Sequence, residues 1–252
     1  MSDAIHEEVV RLGPWHVEVE VAPGVTTRAW ADHAGETLSA PREPFQALLT
    51  SIYGAGLQGR SVLDCGCNAG AYLFWSKELG AGRCLGFDAR HHWIEQARFL
   101  QSHRRETDVE FEVSDLYSLT DLEPFDITIF SGLFYHLPDP ITGLRIAADL
   151  TKELILVVTA TKSGEPDGRL YMELESIDAP LSGIHGLNWR PTGPKVVEGI
   201  LSWLGFPEIR VLWVKDQAKG ATDDHGWMGI AASRTQGLLA DVATGWPPRK
   251  AS

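Results

Sequence analysis

Short apolar strips alternate with amphipathic segments through the middle of the chain. The strips "SVLDC", "RCLGFD", "VEFEVSD", "FDITIFS" and "ELILVVTA" predict five strands, and intervening segments such as "RHHWIEQARFLQSH" have helical periodicity. Continuous apolar strands separated by helices are typical of a parallel sheet covered on both faces. The pattern therefore predicts a Rossmann-like α/β domain with a mostly parallel, doubly wound sheet.

Two further strands close this domain. A helix in "KVVEGILSWLGF" is followed by the strands "EIRVLWV" and "GWMGIAAS", which are joined by a polar loop. Two successive strands with a connecting loop predict an antiparallel hairpin, here at one edge of the sheet. The expected sheet thus has seven strands, within a domain over residues 57–236.

The first part of the chain predicts a smaller appendage over residues 1–56. Apolar and polar residues alternate in "WHVEVEV", the dipeptide Pro23-Gly24 follows as a turn, and "PREPFQALLTSIY" has a helical pattern. These features predict an N-terminal β-hairpin and a helix. Trp30 and His33 in this segment are candidate walls of a ligand pocket.

Residues 161–194 break the regular pattern and predict a lid insertion. The stretch is rich in Gly, Pro, Asp and Ser, shows no period, and is too long for a plain connection in a compact domain. His185 and Trp189 lie in it and would either contact substrate or pack the insertion against the core. Arg190 is expected to pair with an acidic residue of the same loop, and residues 237–252 are expected to form a tail.

The net charge of the chain limits the classes of ligand that it is expected to bind. The chain has 252 residues, with 22 Lys and Arg against 34 Asp and Glu, for a net formal charge of −12. A protein that reads a phosphate backbone needs clustered cations, so nucleic acid is disfavoured and a small neutral or cationic substrate is expected.

Other features of the sequence indicate the cellular compartment and the state of the cysteines. No segment is long and apolar enough to span a membrane, and the acidic start lacks a basic-then-apolar leader, so the protein is expected to be cytoplasmic. Cys65, Cys67 and Cys84 have poor spacing for zinc and an odd number for a disulfide framework, which predicts reduced structural thiols and no metal site.

Acidic residues end three successive predicted strands. Asp64 is followed by Gly66 and Gly70, Asp88 ends the second strand, and Asp115 follows the third. In open parallel sheets these ends meet at one ligand-binding crevice, and glycines let the backbone approach a ligand closely. Asp88 is suitably spaced to bind both hydroxyls of a ribose, as in dinucleotide-binding proteins.

The residues of the loop after Asp64 distinguish a cofactor with a pyrophosphate from one with a sulfonium group. The loop has the form G-x-N-x-G, not G-x-G-x-x-G, and Asp64 precedes it. A carboxylate there would repel a pyrophosphate by about 1 to 4 kcal/mol, whereas it would attract a sulfonium and an ammonium group. Asp115 suits the exocyclic amine of adenine. A nicotinamide dehydrogenase is therefore the less favoured alternative.

Several segments together resemble one enzyme family. "VLDCGCNAG", "GFDAR", "VSDLY" and "FDITIFSGLFYHLPDP" resemble the class I S-adenosylmethionine-dependent methyltransferases over about residues 61–160. "GLFYHLPDP" and "NWRPTGPKVVEGILSWLGF" are similar to the methyltransferases that modify wobble uridine in tRNA and to their small-molecule relatives. The front hairpin resembles the same group weakly. The resemblance implies S-adenosylmethionine as cofactor.

The resemblance also implies a set of site residues. Asp64 and the glycine-bearing loop would surround the methionine moiety, Asp88 would hold the ribose, Asp115 and Leu116 the adenine, and Ser131 the sulfonium side. The implied cofactor-binding residues are Asp64, Gly66, Cys67, Asn68, Gly70, Asp88, Ala89, Ser114, Asp115, Leu116, Ser131 and Gly132.

Two positions depart from the family pattern. Asn68 replaces the usual middle glycine, which is tolerable because Asn accepts left-handed backbone angles. Members that transfer a carboxymethyl group read the extra cofactor carboxylate with a Tyr and a late Arg. Tyr135 is present, but Gly226 stands roughly where that Arg would be, which favours ordinary S-adenosylmethionine.

Catalysis of methyl transfer depends mainly on positioning, with a base where the nucleophile must lose a proton. His136, after the fourth strand, is the candidate base, or else a structural residue that hydrogen-bonds the backbone. Tyr135 would orient the substrate or cap the cofactor.

The leading hypothesis is a methyltransferase acting on an O or N of a small secondary-metabolite or sugar-like acceptor, as in natural product biosynthesis. A tRNA wobble-uridine (carboxy)methyltransferase and a non-catalytic cofactor-binding subunit are the alternatives, and a homodimer stays open.

Overall fold

The computed structural model describes residues 2–27, 42–105, 107–119, 121–178, 181–215 and 224–243. Trp30, His33 and residues 244–252 of the predicted tail lie outside the described residues. The helices are α1 (Ser2–Arg11), α2 (Arg42–Tyr53), α3 (Ala71–Glu78), α4 (His91–Arg104), α5 (Pro140–Asp149) and α6 (Pro194–Trp203). The strands are β1 (Glu20–Ala22), β2 (Val25–Thr26), β3 (Val62–Cys65), β4 (Cys84–Asp88), β5 (Val109–Val113), β6 (Phe125–Ser131), β7 (Thr151–Lys162), β8 (Leu170–Leu174), β9 (Leu187–Pro191), β10 (Glu208–Lys215) and β11 (His225–Ser233).

A seven-stranded sheet forms the centre of the fold, in the order β10-β11-β7-β6-β3-β4-β5. The five strands from β7 to β5 pair in parallel, while β11 runs antiparallel to both β7 and β10. The chain leaves β3 toward β5 on one side and resumes at β6 on the other, so the strand order reverses between β3 and β6. The predicted Rossmann-like sheet with an antiparallel edge hairpin is confirmed.

Successive residues of each central strand pack on opposite faces of this sheet. In β3, Val62 belongs to a cluster with α1 to α4, whereas Leu63 belongs to a cluster with α5 and α6. In β7, Leu154 and Ile155 divide in the same way. Both faces are therefore buried, which explains why these strands are continuous apolar runs in the sequence.

The N-terminal segment contains a helix that the sequence analysis missed. In α1, Ile5 and Val9 recur four residues apart, and Val9 is buried. Trp15 Nε1 donates to the Val9 carbonyl at 2.7 Å, and Gln96 of α4 donates to the Leu12 carbonyl at 2.6 Å. These apolar residues share the core cluster of α2 to α4. The predicted turn at Pro23-Gly24 does join two strands, β1 and β2.

The predicted lid is more regular than expected. β7 extends to Lys162, and residues 170–191 contain the antiparallel hairpin β8–β9, in which Leu174 pairs with Leu187. We refer to residues 170–191 as the hairpin. The expectation of an irregular insertion is corrected. The hairpin shows no sequence period because β8 has no buried face: Leu170 and Tyr171 are half-buried, and the next three residues are exposed.

No helix among the described residues combines the length and apolar character needed to cross a bilayer.

Candidate active site

A cavity of about 670 Å³ opens at the point where the strand order reverses. Its floor is formed at the carboxyl ends of β3, β4 and β6, and its cover includes residues 181–185 of the hairpin. Crevices at such switch points are the usual ligand sites of open α/β sheets, and this volume is typical of a small-molecule pocket.

Most residues predicted from the sequence line this one cavity. Asp64 and Gly70 do not. Those that do are Gly66, Cys67, Asn68, Ala89, Asp88, Ser114, Asp115, Leu116, Ser131, Gly132, Tyr135 and His136.

The turn after β3 brings backbone to the cavity wall. Gly66 and Asn68 adopt positive φ angles of 71° and 52°, and both Gly66 N and Cys67 N donate to the Phe87 carbonyl at 2.9 Å. Asn68 Oδ1 accepts from Ala69 N at 2.7 Å, a local bond that suits Asn to this conformation. A ligand can therefore approach this turn closely.

Asp88 presents its carboxylate at the end of β4. Oδ2 accepts from Asn68 N and Oδ1 from Arg90 N, each at 3.0 Å. Burial raises the pKa of Asp88, while these two hydrogen bonds oppose the rise. The carboxylate is thus fixed in orientation on the cavity wall, beside the exposed Ala89. Its role in ribose binding stays a prediction.

Asp64 lies beneath the turn, away from the cavity. It is 1% exposed, and its Oδ2 has no hydrogen-bond partner among the described residues. Burial raises the pKa of Asp64 to about 8, and the charge of Asp88 adds to the rise. Asp64 does not line the cavity, so its place beside a bound methionine moiety stays a prediction, in which its charge acts through the turn.

Gly70 also has a packing role. Its φ is 79°, and a Cβ at this position would lie 2.5 Å from the Phe111 ring. The backbone angle and this close approach require a glycine here, and cofactor contact at Gly70 stays a prediction.

The residues after β5 form the far wall. Asp115 accepts from Tyr117 N at 2.8 Å, and its Oδ2 lies 3.1 Å from His185 Nε2 of the hairpin. Leu116 is buried against the cavity, and Ser114 lies beside it. Asp115, one of the predicted adenine-binding residues, therefore contacts the hairpin that covers the cavity.

The residues after β6 form the centre of the cavity. Ser131 Oγ lies 3.3 Å from the Tyr72 hydroxyl, and Gly132 has a φ of 72° with open space where a Cβ would stand. This stretch of wall has room for a bulky ligand atom.

Tyr135 and His136 follow at the cavity mouth. Burial and the charge of Glu175 raise the pKa of Tyr135 far above neutrality, so its hydroxyl keeps its proton. His136 Nδ1 lies 2.8 Å from Glu175 Oε2 and 3.0 Å from Gly183 N. Tyr135 is therefore unsuited to be the base, and His136 does contact backbone as the structural alternative requires.

Several cavity residues were missed in the sequence. Glu175 was missed because it lies in the segment without a period, and Trp213 and Trp227 because they read as ordinary strand residues. Trp227 packs edge-on against Tyr135, with ring centroids 5.6 Å apart. The Arg90 guanidinium donates to the Ser182 carbonyl and so joins the start of α4 to the hairpin.

Arg190 lines the cavity but is committed to carboxylates. It pairs with Glu173, as predicted for a residue of the same loop, and its Nη1 lies 2.7 Å from Asp224 Oδ1. Trp189 does not line the cavity. At position 226 a Cβ would lie 2.4 Å from Thr161 Oγ1, so this position has no room for a side chain.

The three cysteines are free and buried. Burial raises the pKa of the Cys65 and Cys67 thiols, which makes them inert packing residues. Within the described part of the chain, no three His, Cys, Asp or Glu side chains are grouped as metal ligands would be.

Comparisons with known proteins agree with this geometry. Residues 57–188 match the family described as a methyltransferase domain. The chain is 40% identical over 90 residues to a tRNA U34 carboxymethyltransferase of Campylobacter hominis, covering 35% of this chain and 31% of that protein. It is 30% identical over 120 residues to a ubiquinone biosynthesis O-methyltransferase of Neisseria meningitidis serogroup C, covering 47% of this chain and 50% of that protein. The chain thus spans a third to a half of the curated relatives it matches.

Among solved structures, the fold is similar to the N-terminal domain of EvdMO1 with SAH bound. The TM-score is 0.76 at 22% identity, and the match covers 92% of this chain and 97% of that one.

Proposed function

The chain belongs to the methyltransferase-domain family, and from that premise we propose that it transfers a methyl group from S-adenosylmethionine to an O or N of a small-molecule acceptor. One observation carries the proposal: the fixed carboxylate of Asp88 faces a cavity at the switch point, beside a turn that a ligand can approach closely. A dinucleotide-binding dehydrogenase would need a turn favourable to pyrophosphate, and Asp64 lies buried beneath this one.

The residues present fit the cofactor. Asp88 would accept hydrogen bonds from the ribose hydroxyls, and Asp115 would face the adenine. Ser131 and Gly132 would border the sulfonium, where the wall is open. A cationic methionine end above the turn would lower the raised pKa of Asp64 and so favour its ionised form.

When bound, S-adenosylmethionine supplies an electrophilic methyl group, whose bond to sulfur breaks as the acceptor's bond to the methyl carbon forms, leaving a neutral thioether. His136 takes the proton that an attacking hydroxyl or neutral amine releases and later returns it to solvent. Tyr135, which keeps its proton, donates a hydrogen bond to orient the acceptor. The hairpin excludes water from the reacting atoms.

A small acceptor is favoured by the cavity volume of about 670 Å³ and by the net charge of −12. Ordinary S-adenosylmethionine is favoured over a carboxylated form because position 226 admits no arginine and Arg190 is already paired with two carboxylates. A fold relative was solved in the presence of SAH and D-fucose, with a TM-score of 0.70. Sugars are therefore the first acceptor class to screen.

The names of the curated relatives support a second candidate, modification of tRNA. Several of them are called tRNA U34 carboxymethyltransferase. Filter binding of tRNA between 50 and 200 mM salt tests this candidate, because phosphate contacts weaken steeply over that range. Tight, salt-dependent retention would favour tRNA over a small acceptor.

Calorimetry with S-adenosylhomocysteine and S-adenosylmethionine tests the cofactor assignment directly. We expect saturable binding that Asp88→Asn weakens by about 10- to 100-fold, since hydrogen bonds to a charged group contribute roughly 1.5 to 3 kcal/mol. Asp149→Asn, at an exposed residue outside the cavity, is the matched control and should bind like the wild type. Absence of binding at millimolar cofactor would refute the proposed function.

A further inference from the structure

We propose that Glu175 is a positioning residue for His136: the hairpin brings its carboxylate to Nδ1, so that Nε2 is the atom that accepts the acceptor's proton. This inference rests on the proposed function, because it assigns the orienting partner of the base used there.

The two side chains form an enclosed contact. His136 Nδ1 and Glu175 Oε2 are 2.8 Å apart, and the side chains are only 11% and 14% exposed. The Gly183 N–H, in the loop between β8 and β9, is directed at both His136 Nδ1 and Glu175 Oε2, each at 3.0 Å. The ring contacts of His136 with Glu175 and Gly183 are made through Nδ1, and His136 lines the cavity.

This geometry decides which imidazole nitrogen carries the proton. If Nδ1 carried no proton, its lone pair would face a lone pair of Glu175 Oε2 across 2.8 Å, and the two would repel each other. A proton must lie between the two atoms, and it belongs to the imidazole because a carboxylic acid is the stronger acid. Glu175 can also accept the Gly183 N–H, so Nδ1 need not accept it. The neutral imidazole is therefore the Nδ1–H tautomer, with a basic Nε2.

The partners come from different parts of the fold. His136 follows β6, and Glu175 follows β8, 39 residues later. Gly183 admits no side chain against His136, because a Cβ there would lie 2.6 Å from His136 Cβ and 3.0 Å from its carbonyl oxygen. The same loop is held down by Arg90 at Ser182 and by Asp115 at His185. The base thus has its productive tautomer only while the hairpin covers the cavity.

A merely structural tie between the hairpin and His136 would not depend on which nitrogen is protonated, so the tautomer is the decisive readout. Protein labelled with ¹⁵N-histidine is measured by long-range ¹H–¹⁵N correlation at alkaline pH, with His136→Gln used to assign the resonances. We expect Nδ1–H in the wild type. In Glu175→Gln the amide can turn its N–H toward Nδ1, and the population should shift to Nε2–H.

Two further variants complete the test. Glu165→Gln makes the same chemical change at an exposed acid outside the cavity and should retain the wild-type tautomer. Gly183→Ala should lose the Nδ1–H preference by displacing the hairpin from His136. An Nε2–H wild type, or a tautomer unchanged in Glu175→Gln, would overturn the proposal. An unchanged tautomer in Gly183→Ala would overturn the coupling to the hairpin.

The result of the tautomer test can be distinguished from the result of the cofactor-binding test of the proposed function. Calorimetry on the same Glu175→Gln protein should still show S-adenosylhomocysteine binding, because Glu175 is not among the predicted nucleoside contacts. Loss of cofactor binding by the wild type refutes the proposed function, whereas normal binding with an unaltered tautomer refutes only the role of Glu175.

Discussion

Two aspartates lie in contrasting surroundings: Asp64 is buried beneath the turn, and Asp88 lies on the cavity wall. Asp88 is half-buried and accepts two backbone hydrogen bonds, whereas Asp64 is buried with an unpartnered oxygen. A carboxyl group without hydrogen-bond donors loses more hydration on folding than it regains. Asp64 therefore destabilises the free protein whenever it is ionised, and a cationic ligand above the turn would offset that penalty.

This reasoning predicts a pH-dependent effect of Asp64→Asn on thermal stability. The pKa of Asp64 is raised to about 8 in the folded chain from an ordinary value of 3.8. Between these values the folded state holds a proton that the unfolded state has lost, so the stability contributed by Asp64 falls as pH rises, by about 1.4 kcal/mol per pH unit. Asparagine cannot ionise and avoids this loss.

Melting temperatures from pH 5 to pH 9 provide the measurement. The stability of Asp64→Asn relative to the wild type should increase with pH up to about 8 and then level off. Asp149→Asn, at an exposed ion pair, serves as the control for loss of a carboxylate. A difference between Asp64→Asn and the wild type that does not vary with pH would contradict the assignment.

At the level of elements, the hairpin depends on ion pairs because it buries little apolar surface of its own. The Arg190 side chain is 4% exposed and binds Glu173 and Asp224, whose side chains are 44% and 41% exposed. Lys162, near the end of β7, pairs with the same two carboxylates. These contacts join β8 and β9 to the end of β7 and the start of β11.

Removal of Arg190 should release the hairpin. We expect Arg190→Ala to lower the free energy of unfolding by about 1 to 3 kcal/mol, less than for a fully buried pair because both carboxylates can be resolvated. Hydrogen exchange should accelerate within residues 170–174 and 187–191. Arg190→Lys should recover only part of the loss, because one ammonium does not reproduce a planar fork that bridges two carboxylates.

Arg169, the residue before the hairpin, provides the comparison. Its ion pair with Glu165 is exposed, so Arg169→Ala should leave the free energy of unfolding close to that of the wild type. Equal effects of Arg169→Ala and Arg190→Ala on hydrogen exchange would show that the buried ion cluster does not anchor the hairpin.

At the level of the whole molecule, the cavity lies between the sheet and the hairpin, so a ligand bound there contacts both. Such a ligand binds the folded chain only. A concentration of 100 times the dissociation constant should stabilise it by about 2.7 kcal/mol. For a chain of this size we expect S-adenosylhomocysteine to raise the melting temperature by roughly 5 to 10 °C.

Thermal denaturation with two ligands measures this effect and its selectivity. NAD at the same concentration is the control, since it shares the adenosine moiety but carries a pyrophosphate. A larger shift with NAD than with S-adenosylhomocysteine would favour the dehydrogenase alternative over a methyltransferase.

Much of the fold could be predicted because its signals are local. The strands from β3 to β7 and their helices follow from apolar runs and helical periodicity, and the positions of Asp88 and Asp115 follow from where two strands end. α1 was missed although Ile5 and Val9 have helical spacing, because so few apolar residues in a short acidic segment give a weak periodic signal. The hairpin was missed because β8 has no buried face and hence no periodic pattern.

By itself, the sequence determined the parallel sheet and the row of residues at its carboxyl edge. Parallel strands all end at that edge, so residues that follow successive strands in the sequence lie near one another in the fold. Only the tertiary structure decided which of those residues reach the cavity and what they touch there. It moved Asp64 beneath the turn, and it brought Glu175 to His136 across 39 residues. Burial depth and long-range contacts depend on how the layers pack, and no local pattern of side chains records that.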